Sequence, residues 1–432
     1  MAEIRAFRGL RFDLAKVGEL SRVVAPPYDV IDDRLQDQLY KSSPYNIIRL
    51  ELNRPEPGDN AGSNRYSRAA SALTDWKRAG ILTPEEHPAL YVYEQTYQVE
   101  GRSFTRRGFF ARVRLERFGE GQVYPHEQTL SGPKADRLKL YGATETQLSP
   151  IFGLYPDSAG EVLECVAAAI QDRTPLEATD HLGVVHRLWI VTDQRTHTNV
   201  QGLMAKRPIF IADGHHRYET GLAYRDELAT QNALNGADDP AHFCCMALVG
   251  MSDPGLTILP THRLLSGLGA IRSDALAQRL APEFDIQYTG EGHAGMIDAW
   301  SRVVAENAQE ILAFGTLADN RWLTATLRSD ATMAKLVPLQ SAEWRALGVS
   351  ILRELVINYL LADMDKPEIQ YVHLLQEVAE AFASKRCELA CLVPAATMEH
   401  VQAIASRHET MPPKSTYFYP KLLTGLVLNP LR

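Results

Sequence analysis

Cysteine is scarce in this sequence: Cys165, Cys244, Cys245, Cys387 and Cys391 are the five among 432 residues. Most of them lie in apolar runs such as "HFCCMALVG", so a disulfide framework does not organise the chain. Cys387 and Cys391 have no second Cys or His pair near them in sequence, which points to core packing rather than zinc. No segment approaches about eighteen uninterrupted apolar residues, the length a membrane helix needs. The opening "MAEIRAFRGLRFDLAKV" lacks a signal-peptide core, so the chain reads as cytoplasmic, with no membrane partner. Positive charge is not in excess either: 45 Lys and Arg stand against 53 Asp and Glu, a formal net charge of −8. A nucleic-acid partner bound through a broadly basic face is therefore not expected, although a local basic pocket is allowed. Internal repeats and low-complexity segments are also missing.

What is present is an ordinary globular balance, 45% hydrophobic and 23% charged, in a chain too long for one ordinary core. Two domains are expected, with a boundary near residue 265. In the first, "DDRLQDQLYKSSP" reads as a short helix, "YNIIRLEL" alternates like a strand, and residues 64–79 recur at helical spacing before Gly80. The β-rich runs "ALYVYEQTYQV" and "FTRRGFFARVRL", joined at Glu100-Gly101, read as a hairpin. A long polar segment from Tyr124 to Pro156 shows no clear period. "HRLWIVTD", "PIFIAD" and "AHFCCMALVGM" read as strands, with helices over "HTNVQGLMAK" and "HHRYETGLAYRDELATQ". After residue 265 helices and strands alternate, including one long helix over "EWRALGVSILRELVINYLL", as in an α/β or α+β domain.

The densest chemistry lies in "IFIADGHHRYET". At a strand-to-helix turn, first-turn N–H groups and the helix dipole favour an anion. Gly214 lets the backbone approach closely, and Arg217 offers a planar fork to phosphate or carboxylate oxygens. His215 and His216 add donors or shuttle protons, and Asp213 is a candidate Mg²⁺ ligand or proton acceptor. A bland reading competes, in which Asp213 caps the helix and the rest is a solvated first turn. Cations at a helix start oppose its dipole, which favours an anion as visitor.

Three further clusters carry titratable groups. "PHEQTLSGPKADR" gathers His126, Glu127, Thr129, Ser131, Lys134, Asp136 and Arg137, with a turn expected at Gly132-Pro133. Its glycine spacing is not that of a Walker loop. Lys134 and Arg137 are phosphate candidates alongside Arg217, His126 is a further contact, and Glu127 is a second Mg²⁺ ligand or base. "PPYDV" holds Asp29 after a rigid Pro-Pro, either as base or as cap of the next helix. In the tail, "MPPKSTYFYPK" sets Lys414 and Lys421 among aromatics, either closing over a nucleotide or sealing an interface; Lys414 is the favoured contact.

The string "IADGHHRYETGLAYR" resembles the phosphate-binding motif of the ParB/sulfiredoxin superfamily, a strand, a D-G-x-x-R-type turn and a helix. Its members include nucleotide-hydrolysing partition proteins, sulfiredoxin and kinases of free serine. Over nearly the whole length, "VVAPPYDVI", "SPYNIIRLEL", "PHEQTLSGPKADRL", "SPIFGLY", "FIADGHHRYET" and "MPPKSTYFYPKLLTGLV" resemble the bacterial family domain of unknown function 1015. The resemblance implies an α+β protein: a ParB/sulfiredoxin-like mixed domain with insertions over residues 1–265, and a second α/β domain over 266–432 whose tail returns to the site.

By the same resemblance the expected activity is a nucleotide-dependent phosphotransferase, using ATP or ADP with Mg²⁺, acting on a small hydroxylated metabolite such as serine. In the serine kinases an N-terminal carboxylate is the base, and no motif match fixes it to Asp29. The alternatives are a nucleotide hydrolase, sensor or regulatory module related to the partition proteins, and a metal-dependent hydrolase using His126, Glu127, His215 and His216. Sulfiredoxin-like chemistry needs a cysteine at the turn, where this sequence has histidines.

Overall fold

The computed structural model describes residues 2–127, 129, 131–306 and 308–432. The chain is a mixed α+β protein that divides into two compact units. The first comprises residues 2–125, Thr129–Leu256 and Pro420–Arg432. The strands of its large sheet are β1 (Ile4–Arg5), β2 (Leu90–Val99), β3 (Arg102–Arg114), β4 (Val123–Tyr124), β5 (Ile151–Tyr155), β6 (Leu176–Thr179), β7 (Val185–Val191), β8 (Ile209–Asp213) and β9 (Phe243–Gly250). Among the described residues these nine form one sheet in the order β4-β8-β5-β9-β3-β2-β7-β6, with β1 on β3. The β4–β8 and β5–β9 pairs are parallel and the others antiparallel.

Central β9 is buried along its whole length, as its unbroken apolar run requires of a strand covered on both faces. Phe109, Ile151, Ile209, Ile211, Met246 and Leu248 form the core around it. The β2–β3 hairpin turns through Glu100 and Gly101, both at positive φ, the geometry that a two-residue turn between right-twisted strands demands.

The longer helices are α1 (Asp33–Ser42), α2 (Arg65–Arg78), α3 (Ser131–Thr144), α4 (Glu161–Ala168), α5 (Gln194–Met204) and α6 (His215–Thr230). Asp32, not Asp29, caps α1, accepting from the Leu35 N–H at 2.7 Å. Asn64 and Ser67 form a capping box on α2, and Gly80 follows it at φ 65°. The polar segment after Tyr124 is not a long loop: it holds α3, which packs against both α2 and α6. Gly132 and Pro133 lie within its first turn, where a missing N–H costs nothing.

"YNIIRLEL" is not a strand. Ile48–Glu51 is a single helical turn, and Ile47, Ile48, Leu50 and Glu51 are all buried, so the apparent alternation marks no solvent face. Asn46 fixes this turn. Wholly buried, it donates to the Arg22 and Val24 carbonyls at 2.9 Å each and accepts from the Ile48 N–H at 2.9 Å.

The second unit comprises His126, Glu127 and Thr257–Tyr419. Strands β10 (His262–Ser266), β11 (Phe284–Glu291), β12 (Ile311–Thr316), β13 (Arg321–Leu327), β14 (Glu368–Val372) and β15 (Leu389–Leu392) form a sheet in the order β11-β13-β12-β15-β10-β14. Every pairing in it is antiparallel, so this unit is α+β rather than α/β. Met296, Val303, Ile311, Trp322, Val378 and Leu392 form its core. β11 escaped the sequence reading because it is a mostly exposed edge strand without a hydrophobic period.

The long helix expected over 343–361 is broken at Leu347, whose extended backbone separates Ala342–Ala346 from Gly348–Ser350. Gly348 approaches the Gln309 carbonyl and Pro394 so closely that a Cβ there would lie about 3 Å from both. All five cysteines are free, and Cys387 and Cys391 are buried core residues. No helix among the described residues is long and apolar enough to cross a membrane.

Asn46→Ala strands the buried Val24 carbonyl and the Ile48 N–H at once, while the Arg22 carbonyl keeps the Ser42 hydroxyl. Each unsatisfied group costs roughly 1–3 kcal/mol, so the variant should lose about 3 kcal/mol in urea unfolding followed by circular dichroism. A loss below about 1 kcal/mol would show that Asn46 does not hold this turn.

Candidate functional site

The site grows out of the end of β8. Pairing with β5 shifts register between Ile211 and Asp213, a bulge that re-aims the strand as it leaves the sheet. Gly214 follows in the left-handed region, at φ 93° and ψ 27°, and no described side chain caps α6 behind it. A Cβ at position 214 would lie 3.0 Å from the Arg217 guanidinium. Glycine is thus required twice here, for its backbone and for space.

Asp213 does not cap the helix. Its carboxylate is shared by two cations: Arg217 Nη2 donates to Oδ2 at 2.6 Å, and Lys421 Nζ lies 2.8 Å from Oδ1. Burial pushes the Asp213 carboxyl up, but the Lys421 ammonium, the Arg217 guanidinium and His215 more than reverse this and hold it well below the usual carboxylate range. Arg217 is itself buried, 4% exposed, and a second donor goes to the Pro150 carbonyl. Burial works against its charge, and Asp213 and Asp29 restore it. Arg217 therefore shapes the turn from beneath.

A second network of the same unit flanks it. Arg137, buried, donates to the Glu51 carbonyl at 2.9 Å, to Glu51 Oε1 at 3.2 Å and to Asp136 Oδ2 at 2.5 Å. Its guanidinium lies over the Tyr28 ring, 4.2 Å from the centroid. Arg65 and Tyr66 also donate to Asp136. The Tyr28 hydroxyl is pushed up to about 12, chiefly by burial, with Arg217 opposing and Asp29 reinforcing. Tyr28, Asp29 and Glu51 favour the charged form of Arg217 electrostatically. Asp29 is exposed.

The expected residues separate into two groups. In the first unit, Asp213, Gly214, His215, His216, Arg217, Asp29, Lys134 and Arg137 cluster around α6 and α3. Lys134 pairs with Glu219 of α6 at 2.7 Å, and Thr129 donates to the same carboxylate at 2.6 Å. His215 is buried and His216 half-buried. The Ser131 side chain lies outside the described atoms. In the second unit, His126 Nε2 lies 2.8 Å from Thr416 Oγ1, and Glu127 accepts from the Lys414 N–H at 3.1 Å. Lys414 is exposed at φ 58°, and its carbonyl accepts from Arg263 at 2.9 Å.

Of the two tail lysines, Lys421 belongs to the first unit and reaches the Asp213 turn, and Lys414 belongs to the second unit. The sequence held a signal for this, because Lys421 leads directly into the buried run "LLTGLVL", whereas Lys414 follows two prolines in an exposed turn. Glu51, Tyr28, Gln95 and Arg106 join these networks although none stands in a cluster of titratable groups in the sequence. Asp213 does not fit as an Mg²⁺ ligand, since two fixed cations already hold its oxygens. Among the described residues no three His, Cys, Asp or Glu side chains gather as a metal site. His215 and His216 are neighbours on a helix, and such side chains do not face each other.

A family model described as "Protein of unknown function (DUF1015)" matches residues 4–350. No curated protein matches the chain. Among solved structures, the chain is similar to a free serine kinase in complex with AMP at 14% identity, covering 69% of this chain and 83% of that one with a TM-score of 0.33. It is similar at 12% identity to C-terminally truncated SbnI from Staphylococcus aureus, over 74% of this chain and 87% of that one with a TM-score of 0.35. A conserved hypothetical protein from Pyrococcus furiosus aligns at 14% identity over 69% and 87%, with a TM-score of 0.32. Identities and superpositions at this level attach no activity to the chain.

The depressed Asp213 carboxyl has a signed consequence. Its ionised form stabilises the fold fully above the unfolded-state value, about 3.9, and that contribution is lost as pH falls toward the lower folded-state value. Asp213→Asn should therefore lose about 3 kcal/mol near neutral pH, with the deficit shrinking below about pH 4, as read by urea unfolding at several pH values. A deficit that stays constant down to about pH 2 would contradict the ion-pair assignment.

Proposed function

The chain belongs to the DUF1015 family of proteins of unknown function, and from that premise we propose that it is a nucleotide-dependent phosphotransferase acting on a small hydroxylated metabolite. In this reading residues 1–265, joined by the C-terminal tail, form a ParB/sulfiredoxin-like nucleotide unit, and the Asp213–Arg217 turn is its phosphate cradle. The observation that carries the reading is the glycine-started α6 with Arg217 and Lys421 both drawn to Asp213 at its N-terminus. Two cations at the positive end of a helix oppose its dipole, an arrangement that favours an anion there. An arriving phosphate would accept first-turn N–H donors and meet the Lys421 ammonium.

The surroundings suggest a division of labour. Asp213, held ionised by its cations, is a poor proton acceptor at neutral pH, so its role is to hold the Lys421 ammonium and the Arg217 fork in place. Asp29 suits the base better: it is exposed, follows the rigid Pro26-Pro27, and is electrostatically coupled to Arg217. In this reading His216, half-buried on the first turn, donates to a terminal phosphate. Phosphoryl transfer draws chiefly on positioning and charge neutralisation, which such groups supply. Either ATP or ADP fits this chemistry. Mg²⁺, if used, would supply further charge neutralisation on the phosphates, and no step above runs through it.

Titration calorimetry with ADP and ATP, and mass spectrometry of the protein with each nucleotide and a pool of hydroxylated metabolites, test the reading. The wild type should bind one of the nucleotides and yield a phosphorylated product. Lys421→Ala should weaken binding by about tenfold or more. Asp29→Asn should bind normally and form no product. Wild-type protein that binds neither nucleotide would overturn the proposal, and hydrolysis without a phosphorylated product would move it to the nucleotide-hydrolase class.

A further inference from the structure

The tail that carries Lys421 is caught on the central hairpin. Arg106 of β3 and Gln95 of β2 are direct cross-strand partners, and each is only 1% exposed. Arg106 donates through Nη2 to Gln95 Oε1 and, at 2.5 Å, to the Pro420 carbonyl. Its guanidinium lies over the Phe152 ring, 4.7 Å from the centroid. Gln95 spends its other end on the same segment, Nε2 donating to the Lys421 carbonyl at 2.9 Å. Two successive tail carbonyls are thus held by two side chains that also hold each other.

The clamp extends along the tail. Two residues before Gln95, and hence on the same face of β2, Tyr93 accepts from the Leu423 N–H, and its hydroxyl lies 2.6 Å from His186 Nδ1. Thr424 then exchanges both backbone hydrogen bonds with Ala25, at 2.8 and 3.1 Å, immediately before Pro26-Pro27-Tyr28-Asp29. One short segment therefore ties the Lys421 ammonium to the hairpin and to the strand of chain that leads to Asp29.

Burying a guanidinium against an amide and a carbonyl oxygen is a costly way to hold a chain terminus, since apolar side chains of the same volume would seal it as well. What Arg106 and Gln95 add is direction. A lysine side chain has many rotamers, and fixing the carbonyl of the lysine itself limits where its ammonium can reach.

We propose that Gln95 and Arg106 are positioning residues that fix the Pro420–Lys421 backbone so that the Lys421 ammonium stands at the Asp213–Gly214 turn, ready to meet a nucleotide phosphate. The C-terminal segment is then an integral part of the site. This inference rests on the nucleotide reading above for the identity of the anion, though not for the placement of Lys421.

Gln95→Glu in the full-length chain separates positioning from simple stabilisation. The new carboxylate keeps an acceptor for Arg106, so the hairpin stays paired, but it replaces the donor to the Lys421 carbonyl with a repelling oxygen. Two readouts apply: nucleotide affinity by calorimetry, and acylation of Lys421 by an amine-reactive ester, followed by peptide mass spectrometry without nucleotide. The thermal midpoint should stay within a few degrees of wild type, affinity should fall about tenfold, and Lys421 should acylate several-fold faster. Unchanged acylation overturns the positioning role, whatever the nucleotide result. Wild-type protein that binds no nucleotide, with faster acylation in the variant, overturns the nucleotide reading and leaves the positioning intact. Unchanged affinity with faster acylation overturns the role of that positioning in binding. Should Gln95→Glu fail to fold, Arg106→Gln takes its place with the same readouts and the same expected outcomes.

Discussion

The first unit turns on one carboxylate, that of Asp213, held between an arginine four residues ahead and a lysine more than two hundred residues away. An ion pair this buried contributes little net stability, because desolvation offsets most of its attraction, but breaking it is costly. Its use here is geometric. It fixes the Arg217 side chain beneath the turn, which in turn leaves room only for glycine at position 214. It also draws the chain terminus back to the sheet edge where α6 begins.

The remaining architecture serves that turn. The bulge in β8 re-aims Asp213, the Pro150 carbonyl takes the second Arg217 donor, and the Glu51–Arg137–Asp136 network holds Tyr28 and the segment leading to Asp29. The same physical choice recurs: a buried arginine is satisfied by carbonyls and by a carboxylate or amide, so it cannot swing out to a ligand without breaking several bonds. Arg217, Arg137 and Arg106 are framework cations. The less buried cations, Lys421 at 14% and Lys134 at 37% side-chain exposure, are the ones with freedom to exchange a protein carboxylate for a phosphate.

Much of this was legible in the sequence, and the exceptions have physical reasons. The β8–turn–α6 unit announced itself through a buried apolar run, a glycine and a polar first turn, and the hairpin through Glu100-Gly101. "YNIIRLEL" alternates as a half-buried strand does, whereas burial on all sides and the Asn46 side chain select a helical turn. α3 was missed because it packs on two sides, against α2 and α6, which erases a single apolar stripe. Sequence also gave Arg217 and Arg137 the role of ligand forks, since type and spacing say nothing about how deeply a guanidinium will be buried. The apolar run after Lys421 marks it as leading into the core, and where it goes is fixed by tertiary contacts with Gln95 and Arg106 that no local pattern encodes.

A crystal structure of the chain with ADP is the most direct test of the phosphate cradle. The terminal phosphate is predicted to sit at the N-terminus of α6, with its oxygens within hydrogen-bonding distance of the first-turn N–H groups and of Lys421 Nζ, and with Arg217 still on Asp213 and Pro150. Nucleotide bound elsewhere, with the Asp213–Lys421 pair and the first turn untouched, would contradict it.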